Sequence, residues 1–205
     1  MRTFIYFSST ARTTGNFSNE NLIEAGRMDI VCHAIVNAFF LSHKKREDVV
    51  LHLVFYGSPD PPKHLVIQPE KSLPETGKQV GSLDLSKKDV SNFIKKMLYK
   101  YKQGKNTEVF KGCFIEKKNL FDVINELKKE GKKIFILDED GESIRKIENK
   151  ELENAVFLLG DHEGLPLKEL KRLKQECGLV SIGNKTYFAS QTITIVNNEL
   201  DVRGI

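Results

Sequence analysis

The sequence has no tryptophan, three cysteines and six prolines in 205 residues, and no long apolar run. Each shortage removes a class of protein. Cys32, Cys113 and Cys177 are odd in number, far apart and without a CxxC pair, so neither a disulfide framework nor a zinc knuckle is on offer. Buried thiols are expected, and no metal. No stretch approaches the roughly 18 consecutive apolar residues that a membrane crossing needs. The opening MRTFIYFSST has one arginine and a few apolar residues before it turns polar, the wrong shape for a secretory signal. A cytoplasmic protein with no membrane partner is the expectation. With 40% hydrophobic and 29% charged residues, the chain is neither disordered nor collagenous, and its length suits a single domain, 1–205.

The net charge of +4 is modest but unevenly placed. Between Lys87 and Lys133 there are fourteen lysines against six carboxylates, a local +8 that leaves −4 for the rest. An anionic partner is one reading. A lysine-rich solvated face of the kind found on heat-tolerant proteins is the other.

Hydrophobic period divides the chain into alternating elements. Thr3–Phe7 reads as a strand, and the hydroxyl-rich SSTARTTGNFSNENL after it is too long for a tight turn. From Ala25, the residues Met28, Val31, Ile35, Ala38 and Phe39 recur at helical spacing up to about His43. VVLHLVFYG is a continuous β-branched run, expected of a strand buried on both faces. HLVIQP is a second short strand, followed by a connector rich in proline and glycine through Gly81. Ser86 with Asp89 opens a helix that carries Val90, Phe93, Ile94, Met97, Leu98 and Tyr101 and closes at Gly104. VFKGCFIE reads as one strand, and Asn119 caps a helix that Gly131 ends. KIFILDEDG reads as strand then turn, residues 142–153 as a charged helix, and AVFLLGDHEGLP as a buried strand entering a glycine loop. Pro166 opens a helix to about Glu176, LVSIGN is a short strand, and ASQTITIVNNELDV is a closing amphipathic segment. Strands alternating with helices specify an α/β fold, with a mainly parallel sheet flanked by helices.

In such sheets ligands bind beyond the carboxyl ends of the strands, where loops and helix starts converge. No GxGxxG follows the first strand and no GxxxxGK with Ser or Thr occurs, which argues against a dinucleotide or nucleoside triphosphate. Gly160 and Gly183 instead stand directly after apolar strands, where a ligand could press on bare backbone. Ordinary turn glycines are the plain alternative.

The succession FILDEDG, FLLGDHEGLP, LVSIGN and SQTITIVNNELD resembles the SPOUT superfamily of S-adenosylmethionine-dependent RNA methyltransferases. RTFIYFSSTARTTGNF and FYGSPDPPK narrow the resemblance to its archaeal tRNA pseudouridine N1-methyltransferases, the TrmY family, over the length of the chain. The resemblance implies a C-terminal trefoil knot, S-adenosylmethionine bound in it, and a homodimer packed through the knot helices. It also implies cofactor contacts at Leu137, Leu159, Gly160, Ile182 and Gly183, with Thr192 close by. The implied reaction is methyl transfer to N1 of pseudouridine at T-loop position 54 of tRNA. Methylation of ribosomal RNA on the same scaffold, or RNA binding without turnover, are the alternatives.

Pseudouridine N1–H is a poor nucleophile until its proton is withdrawn, so an acceptor must face it. Asp60, in GSPDPPK, is the carboxylate candidate, with an Asx turn as its plain alternative. Asp161 and His162 fit loop fixation better than acid–base work. Arg12, Asn16, Arg27 and Lys63 are candidate RNA contacts, with surface salt bridging as the alternative. Phe17 could stack on an extruded base. Tyr6 and Tyr56 lie on strands, where core packing is the simpler role.

Overall fold

The computed structural model describes residues 1–42, 44–68 and 87–205. His43, the connector through Gly81 and the Ser86 helix start lie outside the described residues. In chain order the elements are β1 (Arg2–Ser8), α1 (Met28–Phe39), β2 (Val49–Phe55), β3 (Lys63–Ile67), α2 (Lys87–Tyr99), β4 (Thr107–Phe110), β5 (Cys113–Glu116) and α3 (Leu120–Lys129). There follow β6 (Lys133–Ser143), a 3-10 turn (Ile144–Lys146), α4 (Asn149–Leu152), β7 (Ala155–Leu159), α5 (Leu167–Glu176), β8 (Gly178–Ser181) and α6 (Ala189–Arg203).

Among the described residues, eight strands form one sheet in the order β4-β5-β3-β2-β1-β7-β6-β8. The five strands from β2 to β8 run parallel, and β3, β5 and β4 extend the sheet antiparallel. β1 is central, and all seven of its residues are buried. Phe4 and Tyr6 join a core with α1, α2 and α6, while Ile5 and Phe7 join one with α3 and Leu173 of α5. A strand covered on both faces cannot alternate apolar with polar residues, which is why β1, β2 and β7 read as unbroken hydrophobic runs.

The C-terminal helix is tied to the first strand. Arg2, largely buried, donates to the Ile205 carbonyl at 2.7 Å and pairs with Asp201 at 2.7 Å. On another side of α6, Arg203 donates to the carbonyls of Ile147 at 2.7 Å and Ile144 at 2.9 Å. α6 also packs along α1, with Thr194 donating to Asn37 at 2.8 Å.

Four segments differ from the sequence expectation. VFKGCFIE is a hairpin, not one strand: Gly112, at φ 78°, turns β4 back onto β5. α1 begins at Met28 instead of Ala25. Residues 142–153 hold only the end of β6, the 3-10 turn and the one-turn α4, because Glu142 and Ser143 pair with β8 and so belong to the sheet.

The fourth difference shapes the ligand end. β6 does not stop at the expected turn but runs on to Ser143. Val180 of β8 pairs first with Leu137 and again with Glu142, so residues 138–141 leave the ladder between two contacts with the same partner. Gly141 closes this excursion, and a Cβ there would lie 2.5 Å from the Val180 backbone nitrogen. That distance is inside van der Waals contact and the obstacle is backbone, which cannot rotate away. Gly141→Val is expected to cost about 1–3 kcal/mol, the usual range for overpacking. Thermal unfolding checks this, and an unchanged midpoint would mean the excursion is not pinned there.

Candidate active site

Because five strands point the same way, the loops after β1, β2, β6, β7 and β8 share one edge of the sheet. A cavity of about 270 Å³ opens there between β6 and β8. Leu137, Val180 and Ile182 give it an apolar wall, Asp138 and Glu139 come from the β6 excursion, and Lys185, Thr186 and Tyr187 come from the loop before α6. Thr192 reaches it from the first turns of α6. Its volume is just below the roughly 300–1,000 Å³ of small-molecule sites.

Four of the six expected cofactor residues therefore meet: Leu137, Ile182, Gly183 and Thr192. Gly183 sits at φ 151° with its Cβ direction open, so the backbone there is bare toward the site. Leu159 and Gly160 are not in the lining. Leu159 is buried in the core at the end of β7, and a Cβ on Gly160 would meet the backbone of Gly164 at 2.5 Å. Gly160 thus serves the closure of its own loop, in which Asp161 and Gly164 bridge. Reading the sequence also missed Asp138, Glu139, Ser181, Lys185, Thr186 and Tyr187; their signal was that they lie in or beside the same strand ends.

The polar groups of the cavity are held in place. Burial alone would raise the Asp138 carboxyl, but Lys174 at 2.6 Å and the Asp140 amide at 3.0 Å bring it below the usual carboxylate range. Glu139 accepts from the Thr186 hydroxyl at 2.9 Å, which joins the excursion to the opposite loop. Ser181 accepts from the Gly183 amide and donates to its carbonyl, fixing that turn.

Asp161 is a structural hub. Its carboxylate accepts from the Ser8 hydroxyl at 2.7 Å, the Ser9 amide at 3.0 Å and the Glu163 amide at 2.9 Å, so the loop after β7 is bound to the loop after β1. His162 is exposed beside it. Loop fixation, not acid–base work, is what these contacts provide. Ser8 in turn accepts from the Ala11 amide at 3.0 Å, which starts the bend of the first loop.

Asp60 lies farther along the edge. It pairs with Lys63 at 2.7 Å and also with Lys117, and these two ammonium groups, Lys117 first, hold its carboxyl below the usual range. Its amide donates to Thr13, whose hydroxyl donates to the Gly57 carbonyl, both at 2.9 Å, so the loops after β1 and β2 are joined. No Asx turn closes on the Asp60 side chain; its oxygens go to lysines.

The expected RNA residues divide. Arg12 is half-buried and donates to the Asn16 carbonyl at 3.3 Å, and Asn16 is exposed. Arg27 occupies the left-handed region at φ 60° and clamps Asp29 with two bonds of 3.0 Å, a conformation that a non-glycine residue adopts only when its surroundings enforce it. Lys63 is a correction: it is 1% exposed, with its ammonium under the Tyr101 ring at 4.0 Å and on Asp60, and no phosphate can reach it. Tyr6 is core, as expected, and so in part is Tyr56, which packs edge-on against Phe7 at 4.9 Å and accepts from the Leu120 amide at the start of α3. Among the described residues no group of three His, Cys, Asp or Glu side chains is arranged to hold a metal.

The fold defines the class first. The chain matches the crystal structure of Archaeoglobus fulgidus Nep1 bound to S-adenosylhomocysteine with a TM-score of 0.65 at 14% identity, over 100% of this chain and 99% of that one, and so has the SPOUT-type α/β architecture. The particular family follows from sequence. A family model described as "Putative SAM-dependent RNA methyltransferase" matches residues 1–205. The tRNA (pseudouridine(54)-N(1))-methyltransferase of Methanococcoides burtonii is 37% identical over 203 residues, 98% of this chain and 96% of that protein. The enzyme of the same name from Pyrococcus abyssi is 34% identical over 214 residues, all of both chains. This chain belongs to the family of SAM-dependent RNA methyltransferases that contains them.

Removing the Asp161 carboxylate should loosen both loops at once. Hydrogen bonds to a charged group contribute about 1.5–3 kcal/mol, so Asp161→Ala is expected to lower stability by about that amount. Denaturant unfolding with amide exchange at Ser9 and Glu163 reads it; retained protection at both amides would show that the hub is dispensable.

Proposed function

We propose that this chain is an S-adenosylmethionine-dependent enzyme that methylates N1 of pseudouridine at position 54 of tRNA. The observation that carries the reading is the end-to-end similarity to enzymes of that name, joined to a cavity whose residues suit the cofactor. The fit is chemical. An apolar wall of Leu137, Val180 and Ile182 suits an adenine ring, bare backbone at Gly183 offers amide and carbonyl contacts, and the carboxylates of Asp138 and Glu139 suit hydroxyl and ammonium groups. When bound, the cofactor supplies an electrophilic methyl on a sulfonium, which needs no metal.

The chain's own work is to hold the base, exclude water and receive a proton hydrogen bond from N1–H. The reaction replaces the N1–H bond with N1–CH3 at the expense of the sulfonium S–CH3 bond, which leaves a neutral thioether, and the N1 proton passes by way of Asp60 to water. Asp60 is the acceptor in this reading. Its two lysines keep it ionised, so it acts by accepting a hydrogen bond and orienting the ring instead of by titrating near neutrality. The rate should therefore be insensitive to its ionisation from neutral pH down into the carboxylate range.

Asp60 and the cavity stand apart along the edge of the sheet. β2 and β6 are three strand spacings apart, roughly 14 Å, and Asp60 leans away toward Lys63 and Lys117. The reading therefore uses a homodimer in which the cavity of one copy faces the Asp60 loop of the other. Support comes from exposed apolar residues on and before α6, Val202 and Phe188, which leave that helix with surface for a second copy. The same reading takes 1–205 as one domain with a C-terminal knot in a cytoplasmic protein. The segment Ile144–Ile147 clasping α6 on one flank, while α1 covers another, favours the knot.

The test is labelled methyl transfer to tRNA transcripts with pseudouridine or uridine at position 54, followed by mapping of the product nucleoside. Label in N1-methylpseudouridine from the first transcript only is the expected result. Label elsewhere, or none with cofactor still bound, overturns the reading. Asp60→Asn and Thr192→Leu should each fall at least tenfold in rate, the second through weaker cofactor binding. Mixing the two inactive variants should restore part of the activity, because one mixed site has both groups intact; no recovery would mean that each chain works alone.

A further inference from the structure

The lysine excess in the middle of the chain is not absorbed by the site. From Val90 to Thr107 there are five lysines and no carboxylate. Lys95 donates to the Phe17 carbonyl at 2.6 Å, but Lys96, Lys100, Lys102 and Lys105 are exposed and form no ion pair among the described residues. Other lysines of the same basic half and of α5 are engaged: Lys117, Lys118, Lys128, Lys133 and Lys174 each face a carboxylate, whereas Lys129, Lys132, Lys146 and Lys150 form no ion pair among the described residues but surround no exposed aromatic ring. The helix end explains only a fraction of this, because its dipole is equivalent to about half a negative charge, against four unpaired ammonium groups.

In the middle of these lysines stands Tyr99, 63% exposed. Its ring lies against the backbone of Gly15, where a Cβ would come within 2.5 Å of it, so the ring is seated on the loop after β1 with much of its surface left to solvent. Asn19 and Asn92 join that loop to α2 a second time, at 2.6 Å. The end of α2 is thus continuous with the loop that carries Arg12 and Asn16, on the same edge as the cavity. Several unpaired cations around one exposed aromatic ring match phosphates around an unstacked base. A membrane surface is less well matched, since Tyr99 is the sole large apolar side chain exposed on this helix.

We infer that the C-terminal end of α2 and the turn after it, Lys96, Tyr99, Lys100, Lys102 and Lys105, form an RNA-docking surface separate from the target-base site. The surface holds the substrate RNA by its phosphates and stacks one unpaired base on Tyr99. The inference rests on the functional reading above only in taking the anionic partner to be RNA.

The test uses the full chain with Lys96, Lys100, Lys102 and Lys105 all changed to Gln, beside a charge-matched control with Lys129, Lys132, Lys146 and Lys150 changed to Gln. Equilibrium binding of tRNA is measured across a salt series, together with KM, kcat and cofactor binding. The expected result for the first variant is at least tenfold weaker tRNA binding and a raised KM, with kcat at saturating tRNA and cofactor affinity within twofold. Each phosphate contact contributes roughly 0.7–0.9 to the salt slope, so loss of four contacts should lower the slope by roughly 3–4. Tyr99→Ala should weaken binding without changing the slope, and Tyr99→Phe should restore it. Unchanged tRNA affinity in the quadruple variant, an equal loss in the control, or a loss confined to anionic phosphatidylserine vesicles would overturn the surface. If the wild-type chain binds tRNA but methylates none, the functional reading fails while the binding series still decides this one.

Discussion

The ligand end of this molecule depends on a single strand residue being used twice. Val180 pairs with Leu137 and again with Glu142, and the four residues between must leave the sheet. That excursion carries Asp138 and Glu139 to the cavity, and the return is possible because Gly141 brings no side chain against the Val180 backbone. The opposite wall is then set by the turn after β8, which Ser181 fixes through both polar groups of Gly183. Thr186 and Glu139 join the two walls. A cavity built from backbone closeness in this way offers amides and carbonyls at fixed positions, which suits recognition of a small polar molecule.

Charge along the same edge divides into two kinds. Some groups are fully engaged within the chain: Asp161 with Ser8 and two amides, Asp60 with Lys63 and Lys117, Arg27 with Asp29. These contacts hold loops together, and the lysines and Arg27 hold the Asp60 and Asp29 carboxyls below the usual range. The lysines at the end of α2 belong to the second kind, unpaired and outward. A buried polar relay on the other face of the sheet contrasts with both. His52 and His64 share a 2.9 Å bond, with Glu116 at 3.0 Å beyond, and burial lowers both imidazoles, His52 to about 3. They are neutral at neutral pH, and His64 and Glu116 directly adjoin Lys63 and Lys117, the two partners of Asp60.

Much of the fold was legible because its signals are local. The unbroken apolar runs of β1, β2 and β7 and the helical stripes of α2 and α3 follow from burial on two faces or one, and those segments fold as read. The hairpin in VFKGCFIE was hidden because Gly112 interrupts a run that has strand composition on both sides. The continuation of β6 past FILD was hidden for another reason. EDGES has turn composition, and only the neighbouring β8 brings its last two residues, Glu142 and Ser143, back into pairing. Gly160 was expected at the ligand from the family resemblance; a glycine after a strand has two uses that look alike in one dimension, and the close approach of Gly164 accounts for one of them.

The sequence by itself determined the alternation of elements, the parallel core, the absence of nucleotide-binding loops and the family, since these rest on composition, period and motif order. Tertiary structure decided which strand ends share a cavity, that Lys63 is buried while the α2 lysines are not, and that Asp60 lies three strands from Leu137. The reason is that pattern records how each residue meets its own neighbours along the chain. Sheet order and the seating of one loop on another are set by contacts between residues far apart in sequence, and no local period carries that information.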